Sequence, residues 1–512
     1  MGTFRKWIRG RQAFHTQTRA DEILNDTISA SIAVNLQHLS KLFSEIPQLI
    51  TRTLTLKTGQ EAVLAYMEGL VDKTIINRDI IRPLLDHKLN PENSWEDTIS
   101  VCQMKKVRKW TEIEKAILVG KSILFVDKEL VALELETQGG PQRAIQEPQA
   151  EASLKSAHLG FIESASQNIA LIRRYIPSRE LKIKQFKIGT RGEVPVSLLY
   201  LADVVNPQLI RELENRIKLI DVDTVITTGE IEGFIEDNPY TPFPQFTVTE
   251  RPDTTASHLL QGRAAVIIDR APGALVGPMN FVAFFQTVDD YSVRWTTATF
   301  VRLLRFVAFF IAIFTPSLYI AMISFHYEVI PLQLLLSVGE SRERVPFPPI
   351  IEAFIMEIVL EMLREAGVRL PSPIGQTIGI VGGIVIGQAA VQAGIVSNIM
   401  VIVVAITAIS SFIIPSIEMA AGIRLLRFPM MLMAFAFGMV GIIIGMMIII
   451  IHLLTLESLG NPYGSPISPL RISDMKDTFV RLPVWLMKKR PLSVGPRQLR
   501  RQGSTRKRRN DE

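Results

Sequence analysis

Cysteine is almost absent. The 512 residues contain one, Cys102, so no intramolecular disulfide framework is available, as suits a soluble part facing a reducing compartment. Spaced catalytic signatures are missing too. There is no Walker A loop, no HExxH pair and no Gly-x-Ser-x-Gly elbow, and the 7 histidines are scattered. Nucleotide hydrolysis, zinc hydrolysis and serine-hydrolase chemistry are not indicated. No metal or organic cofactor is expected, and ligand binding or protein contact suits the soluble half better than enzymatic turnover. The N-terminal "MGTFRKWIRGRQAFHTQTRADE" has basic residues but no apolar core of signal-peptide length, so the N-terminal part is expected to stay cytoplasmic. Long apolar runs are lacking up to about residue 290. They dominate from Leu303 to Leu456, and from Glu457 onward the chain is polar, proline-containing and basic.

The soluble half reads as a repeated unit after a polar, helical segment, 1–50. Residues 61–136 give a strand "EAVLAYMEGLVD", a helix "KTIINRDIIRPLLDH", a loop, a helix "TEIEKAILVG" and the strands "KSILFVD" and "ELVALELE". Residues 194–278 give "VPVSLLYLADVVN", "PQLIRELENRIKLI", a loop, "TASHLLQG" and "RAAVIIDRAPGALVGP". Tyr66 answers to Tyr200 and Asp127 to Asp269. Gly120 and Gly262 each close the helix before the last strand pair, as C-terminal glycines do. The spacing predicts two α/β subdomains of similar topology, 51–145 and 150–290. Lys155 and His158 in "EASLKSAHLGF" could contact an anion; a solvated turn is the plainer reading.

Four stretches have the roughly 20 apolar residues needed to cross a bilayer: 306–325, 377–396, 398–422 and 429–456. They define a membrane domain, 303–456, with Pro316 and Pro415 inside the first and third. Interior prolines free a carbonyl that neighbouring helices must satisfy. Arg294, Arg302 and Arg305 precede the first span, and a dozen cations follow the fourth in the basic tail 457–512, whose last residues are expected to be disordered. The positive-inside bias therefore puts both flanks in the cytoplasm and requires an even number of crossings. The tail suits an anionic membrane surface better than nucleic acid. The fold expected is an α/β cytoplasmic N-terminal domain of two similar subdomains plus an α-helical multi-span membrane domain.

Two features of the membrane half carry candidate function. In the second span, Gly379, Gly382, Gly383 and Gly387 offer small surfaces for close helix packing. Val381, Val385, Gln388 and Gln392 share one helix face. An amide facing lipid is unfavourable. In an oligomer that face could line a pore; hydrogen bonding within a packed bundle is the alternative. The stretch "PPIIEAFIMEIVLEMLREAG" is apolar yet carries Glu357, Glu361 and Glu365 at four-residue spacing on one face, with Arg364 beside them and Glu352 roughly opposite. Ionised carboxylates are costly in a lipid-exposed span. Residues 349–366 are therefore expected as an interfacial or vestibule helix, with Glu357, Glu361 and Glu365 as a cation-attracting surface. The plainer alternative leaves those charges facing water and Arg364. Glu418 could pair with Arg424 or Arg427; an interfacial cap is the plainer reading.

These residues resemble a known family, the A subunits of GerA-type spore germinant receptors of endospore-forming bacteria. The similarity runs from about Thr58 to Leu456. It includes "LVDKTIIN" (70–77), "DRAPGALVGP" (269–278), "FHYEVIP" (325–331), "VPFPPIIEAFIMEIVLEMLREAGVRLPSPIGQ" (345–376), "IVGGIVIGQAAVQAGIVS" (380–397) and "VIVVAITAISSFIIP" (401–415). Two departures stand out: "LKSAHLGF" (154–161) replaces an Arg-Gly-Pro-Arg-like loop before Gly-Phe, and Ile417 replaces an aromatic residue. The resemblance implies an integral protein of the inner spore membrane with a cytoplasmic N-terminal domain. It implies homo-oligomerisation, a transporter-like B subunit, a lipoprotein C subunit and a ligand-gated cation channel acting early in germination. A secondary transporter and a non-conducting signalling scaffold remain the competing readings; no nucleic-acid partner is expected.

Overall fold

Strands β1 (Leu49–Thr55), β2 (Glu61–Met67), β3 (Met104–Val107), β4 (Ser122–Val126) and β5 (Ala132–Leu135) form a sheet in the order β1-β2-β4-β5-β3. Its neighbouring strands pair antiparallel. The computed structural model describes residues 24, 26–56, 59–85, 99–139, 151, 159–369, 382–383 and 385–503. The apolar runs "AVLAYM" and "SILFV" are buried because both faces of the sheet are covered. Helices α1 (Ile32–Leu42) and α2 (Trp110–Val119) cover one face, packing Leu39, Leu42, Trp110 and Ile117 against Met67, Ile123 and Phe125. The helical segment 73–85, whose middle turn Ile76–Ile81 is π-helical, covers the other with Ile76, Ile80 and Leu84. Each such side chain contributes roughly 1.5–3 kcal/mol on burial. The expected boundary at residue 51 falls inside β1, and α1 belongs to this core rather than to a separate leading segment. The reason it was missed is that β1, "LITRTLT", is an edge strand with most side chains in solvent, so its pattern carries little hydrophobic signal.

A second sheet repeats the arrangement. Strands β6 (Leu181–Ile188), β7 (Val194–Leu201), β8 (Thr247–Thr249), β9 (Ala264–Ile268) and β10 (Ala274–Gly277) run in the order β6-β7-β9-β10-β8. Helix α3 (Ala165–Tyr175) precedes it, α4 (Pro207–Lys218) follows β7, and α5 (Pro252–Leu260) precedes β9. Equivalent residues do equivalent work. Tyr66 lies opposite Ile50 and Tyr200 opposite Lys182, each the second residue of its edge strand. Gly120 and Gly262 are left-handed, at φ 98° and 97°. A Cβ at Gly120 would sit 2.7 Å from the Leu70 carbonyl oxygen. The amides of Asp127 and Asp269 donate to the Glu61 and Pro195 carbonyls, and the next residues, Lys128 and Arg270, are both at positive φ. Two buried asparagines, unnoticed in the sequence, complete the pattern. Asn35 and Asn168 each clip the backbone six residues upstream, accepting from the Ser29 and Ile162 amides and donating to the same residues' carbonyls. Asp72 and Asn206 cap the helices after β2 and β7.

By contact the chain divides into two compact units. One comprises Met1–Ile235, Val248–Val276 and Pro496–Gln498 and holds both sheets; the other comprises Glu236–Thr247, Gly277–Gly495 and Leu499–Glu512. Thus residues 277–290, read as part of the second subdomain, belong with the helical unit. Its helices are α6 (Trp295–Ser324), α7 (Leu332–Arg342), α8 (Pro349–Val368), α9 (Asn398–Ile413) and α10 (Ile417–Thr455), with helical residues also at 382–383 and 385–392. Among the described residues two helices, α6 and α10, are long and apolar enough to cross a membrane, with mean hydropathies of 2.2 and 2.7.

The expected span boundaries change in three places. Pro415 does not lie inside a helix. Ile414 before it is extended, at φ −75° and ψ 121°, so α9 stops at Ile413; the proline ring disfavours helical backbone in the preceding residue. Arg424 and Arg427 lie within α10, not in a connecting loop. Third, α10 is not one rod: Gly438 sits at φ 59°, ψ −137°. A Cβ at Gly445 would lie 2.4 Å from the Met430 sulfur, whereas a straight helix separates these positions by about 22 Å. The chain therefore doubles back at Gly438.

Residues 457–503 are likewise no loose tail. Tyr463 is fully buried and its hydroxyl donates to the Pro244 carbonyl at 2.8 Å, while Asn280 Nδ2 donates to the Ser465 carbonyl at 2.7 Å. The disorder expected at the chain's end falls on 504–512, outside the described residues.

Candidate functional site: a charged layer and a glutamine face

Helix α8 carries the acidic row, and its surroundings overturn the wet-face expectation for Glu357. Ile350, Ala353 and Met356 of α8 pack with Tyr319 and Ile320, near the end of α6. Further along, Glu357 lies beside Arg427 of α10, and Arg427 Nε donates to the Ala312 carbonyl of α6 at 2.9 Å. Arg427 of α10 thus bridges α8 to α6. Glu357 is 3% exposed and ion-paired with Arg427, also 3% exposed. Glu352 is fully buried, accepts from the Ser397 amide at 2.9 Å and pairs with Arg342 at 3.1 Å. Glu361 pairs with Arg424 at 3.2 Å. Glu365 pairs with Arg369 at 2.6 Å and both are exposed. Arg364 donates to Ser411 Oγ at 3.1 Å and lies over the Phe412 ring at 4.6 Å. The partners of Arg424 and Arg427 are thus Glu361 and Glu357, while Glu418 stands in the first turn of α10. Glu352 and Glu357 are internal, because they find cations on neighbouring helices that sequence distance conceals, whereas Glu361 and Glu365 keep exposed side chains.

Arg427 has a second task. Pro316 has no N–H, so the Ala312 carbonyl four residues earlier loses its helical donor. The guanidinium supplies one. A comparable cluster gathers at the start of α6. Arg302, fully buried, donates to Asp290 at 2.8 Å and Asp477 at 2.7 Å, and Arg305 donates to Asp290 at 3.0 Å. Two of the cations counted toward orientation are therefore internally neutralised. Burial, then the Asp477 carboxylate that accepts its hydroxyl, holds the Tyr291 phenol above its usual range.

The glycine-glutamine stretch is described from Gly382 onward, apart from residue 384; Val381 and Gly379 lie outside the described residues, as do Lys155 and His158. Val385, Gln388 and Gln392 share one face, and all are exposed, Val385 at 56%. Gly387 is buried on the other side, where a Cβ would lie 3.5 Å from Val401 Cγ1 of α9. A Cβ at Gly382 would approach Leu363 of α8 to 3.0 Å, whereas Gly383 has nothing within 4 Å.

Two like-ordered α/β sheets in one unit and a helical unit with long apolar helices define the class of chain. The family model for Bacillus/Clostridium GerA spore germination proteins matches residues 37–493. The uncharacterized membrane protein YfkQ of Bacillus subtilis (strain 168) is 42% identical over 468 residues, covering 91% of this chain and 91% of that one. Spore germination protein KA of the same organism is 40% identical over 483 residues, covering 93% and 89%. A crystal structure of the N-terminal domain of the A subunit of the Bacillus megaterium spore germinant receptor GerK3 aligns at 28% identity and a TM-score of 0.40, covering 50% of this chain and 98% of that one. The chain belongs to the GerA family of spore germination proteins.

Proposed function

We propose that the chain is the A-type subunit of a nutrient germinant receptor in the inner spore membrane, acting with a transporter-like B subunit and a lipoprotein C subunit. It oligomerises to form a ligand-gated cation path. The observation carrying this reading is the exposed face Val385–Gln388–Gln392 backed by buried Gly387. Amides left against hydrocarbon are unfavourable, so this face meets water or another copy. Copies arranged about an axis would present rings of valine and glutamine along an ion path, Val381 being a further candidate. Glu361 and Glu365, the acidic residues of the row with exposed side chains, are the remaining candidates for attracting cations.

Six helical segments serve as crossings in this reading: α6, α8, residues 382–392, α9 and the two halves of α10. The packing of Ile350, Ala353 and Met356 in one apolar cluster with residues of α6, α9 and α10 supports counting α8, and the turn at Gly438 supports counting α10 twice. The total stays even, which keeps both termini cytoplasmic. The two sheets are taken as copies of one duplicated unit.

The test is reconstitution of the chain with its B and C partners in planar bilayers. Unitary cation currents on adding germinant are expected, with altered conductance or leak in Val385→Ala and Gln388→Leu. A complete complex that passes no current with any germinant sinks the channel reading. A carrier is the competing reading. Saturable, stoichiometric solute exchange without current steps would decide for it. A signalling scaffold predicts neither.

A further inference from the structure

Given the membrane placement proposed above, we infer that the segment 484–501 carries a binding surface for anionic lipid headgroups, a second attachment to the bilayer in which the helices sit. Its backbone is a short ribbon. The Arg490 amide donates to the Leu499 carbonyl at 2.8 Å and the Arg501 amide to the Lys488 carbonyl at 2.9 Å, with Lys489 bridged to Arg500. Gln502 Nε2 donates to the Met487 carbonyl at 3.0 Å and holds the ribbon's base. Lys488, Lys489, Arg500 and Arg501 are all exposed. Between Thr478 and Asn510 the sequence has no acidic residue, so no carboxylate of this stretch neutralises them.

Beside these cations stand apolar side chains. Val484, Leu486 and Leu499 are exposed at 45%, 53% and 43%, next to Trp485 at 43%. Cations flanking exposed aliphatic and indole groups match the headgroup region, where phosphates meet the first methylenes and tryptophan is enriched. A nucleic acid would reward the cations but leave the aliphatic tips in water. Position favours the bilayer as well. The Arg481 amide donates to Thr299 Oγ1 at 3.2 Å, and the same hydroxyl donates to the Arg481 carbonyl at 3.3 Å. Thr299 lies in the second turn of α6, so the segment leading into the ribbon is held close to where the first apolar helix of the same unit begins.

The test uses the full-length chain with Cys102→Ser and Leu486→Cys, an environment-sensitive dye at position 486, and lipid nanodiscs. Discs of phosphatidylcholine alone are compared with discs containing phosphatidylglycerol. The dye is expected to move to an apolar environment only in the anionic discs and to return to a wet one in high salt. The variant Lys488→Gln, Lys489→Gln, Arg500→Gln, Arg501→Gln keeps the backbone bonds. It should lower the lipid-bound to free ratio by roughly fivefold per cation removed. Identical dye states in the two disc types, or an unchanged response in the variant, overturn the inference. So does a response to an RNA oligonucleotide in neutral discs with none to phosphatidylglycerol, which would make this a nucleic-acid surface. A chain that enters neither disc type overturns the membrane reading itself, whereas entry into both with identical dye states overturns only the lipid surface.

Discussion

Replacing Arg427 by alanine should be among the most damaging single changes in the helical unit. The guanidinium faces the Glu357 carboxylate, and its Nε donates to the Ala312 carbonyl that Pro316 leaves without a helical donor. Breaking a buried ion pair from one side costs about 3–5 kcal/mol, because the other charge stays buried. The orphaned carbonyl adds about 1–3 kcal/mol at most. The two are not independent, so a loss of at least about 3 kcal/mol is expected. The double variant Glu357→Leu, Arg427→Met removes both charges and should recover the ion-pair part. What remains is the Ala312 carbonyl, and adding Pro316→Ala should recover that too by restoring an N–H. Reversible unfolding of the full chain in mixed micelles, followed by circular dichroism, reads all four proteins. A loss under about 1 kcal/mol for Arg427→Ala, or a double variant no better than the single, would refute the reasoning. A cation-attracting Glu357 predicts instead that Glu357→Gln lowers flux and leaves stability alone. The exposed pair Glu365–Arg369 is the control: Glu365→Gln should change stability by no more than about 0.5 kcal/mol.

Burial, with Arg263 beside it, holds the His258 imidazole well below its ordinary value. The unfolded chain takes up this proton near pH 6.5 and the folded chain does not. Stability should therefore be complete above about pH 6.5 and fall by about 1.4 kcal/mol per unit below it; melting midpoints that track those of His258→Asn from pH 7 to 5 would refute this. Gly438→Ala places a Cβ 3.1 Å from His326 Nε2 and Phe325, at a backbone angle side chains rarely adopt. It should cost roughly 1–3 kcal/mol and reduce disulfide formation between cysteines at positions 430 and 445; no cross-link with Gly438 in place contradicts the doubled-back helix, and a yield unchanged by Gly438→Ala contradicts the strain placed at Gly438. Asn35→Ala and Asn168→Ala should each cost about 1–3 kcal/mol and speed amide exchange at Ser29 and Ile162 respectively. Unequal losses, with one site silent, would argue against equivalent roles in the two sheets.

The central strands and their helices were legible because burial on both faces writes a nearly continuous apolar run. Edge strand β6, "LKIKQFKI", mixes apolar and basic residues, and edge strand β1, "LITRTLT", buries only Leu54 fully, so neither writes a continuous apolar run. The asparagine clip has a local signal: "SIAVN" and "SASQN" place serine and asparagine at the same spacing ahead of the two sheets, and both serines are helix N-caps. That Val385, Gln388 and Gln392 share one face was readable from helical periodicity alone; that the face is exposed was not, because it depends on what packs against it.

The sequence by itself determined the division into polar and apolar halves, the helix faces and the family, since these follow from local periodicity and residue order. Only the tertiary structure decided what the glutamates of α8 do. Glu357 and Arg427 are 70 residues apart in the chain, and whether a carboxylate faces water or a guanidinium depends on which helix packs against it. The same holds at Gly438, where a glycine in a long apolar run gives no local sign that the chain reverses. The physical reason is common to both: charge neutralisation and chain reversal are set by non-local packing, while amphipathic period is written residue by residue.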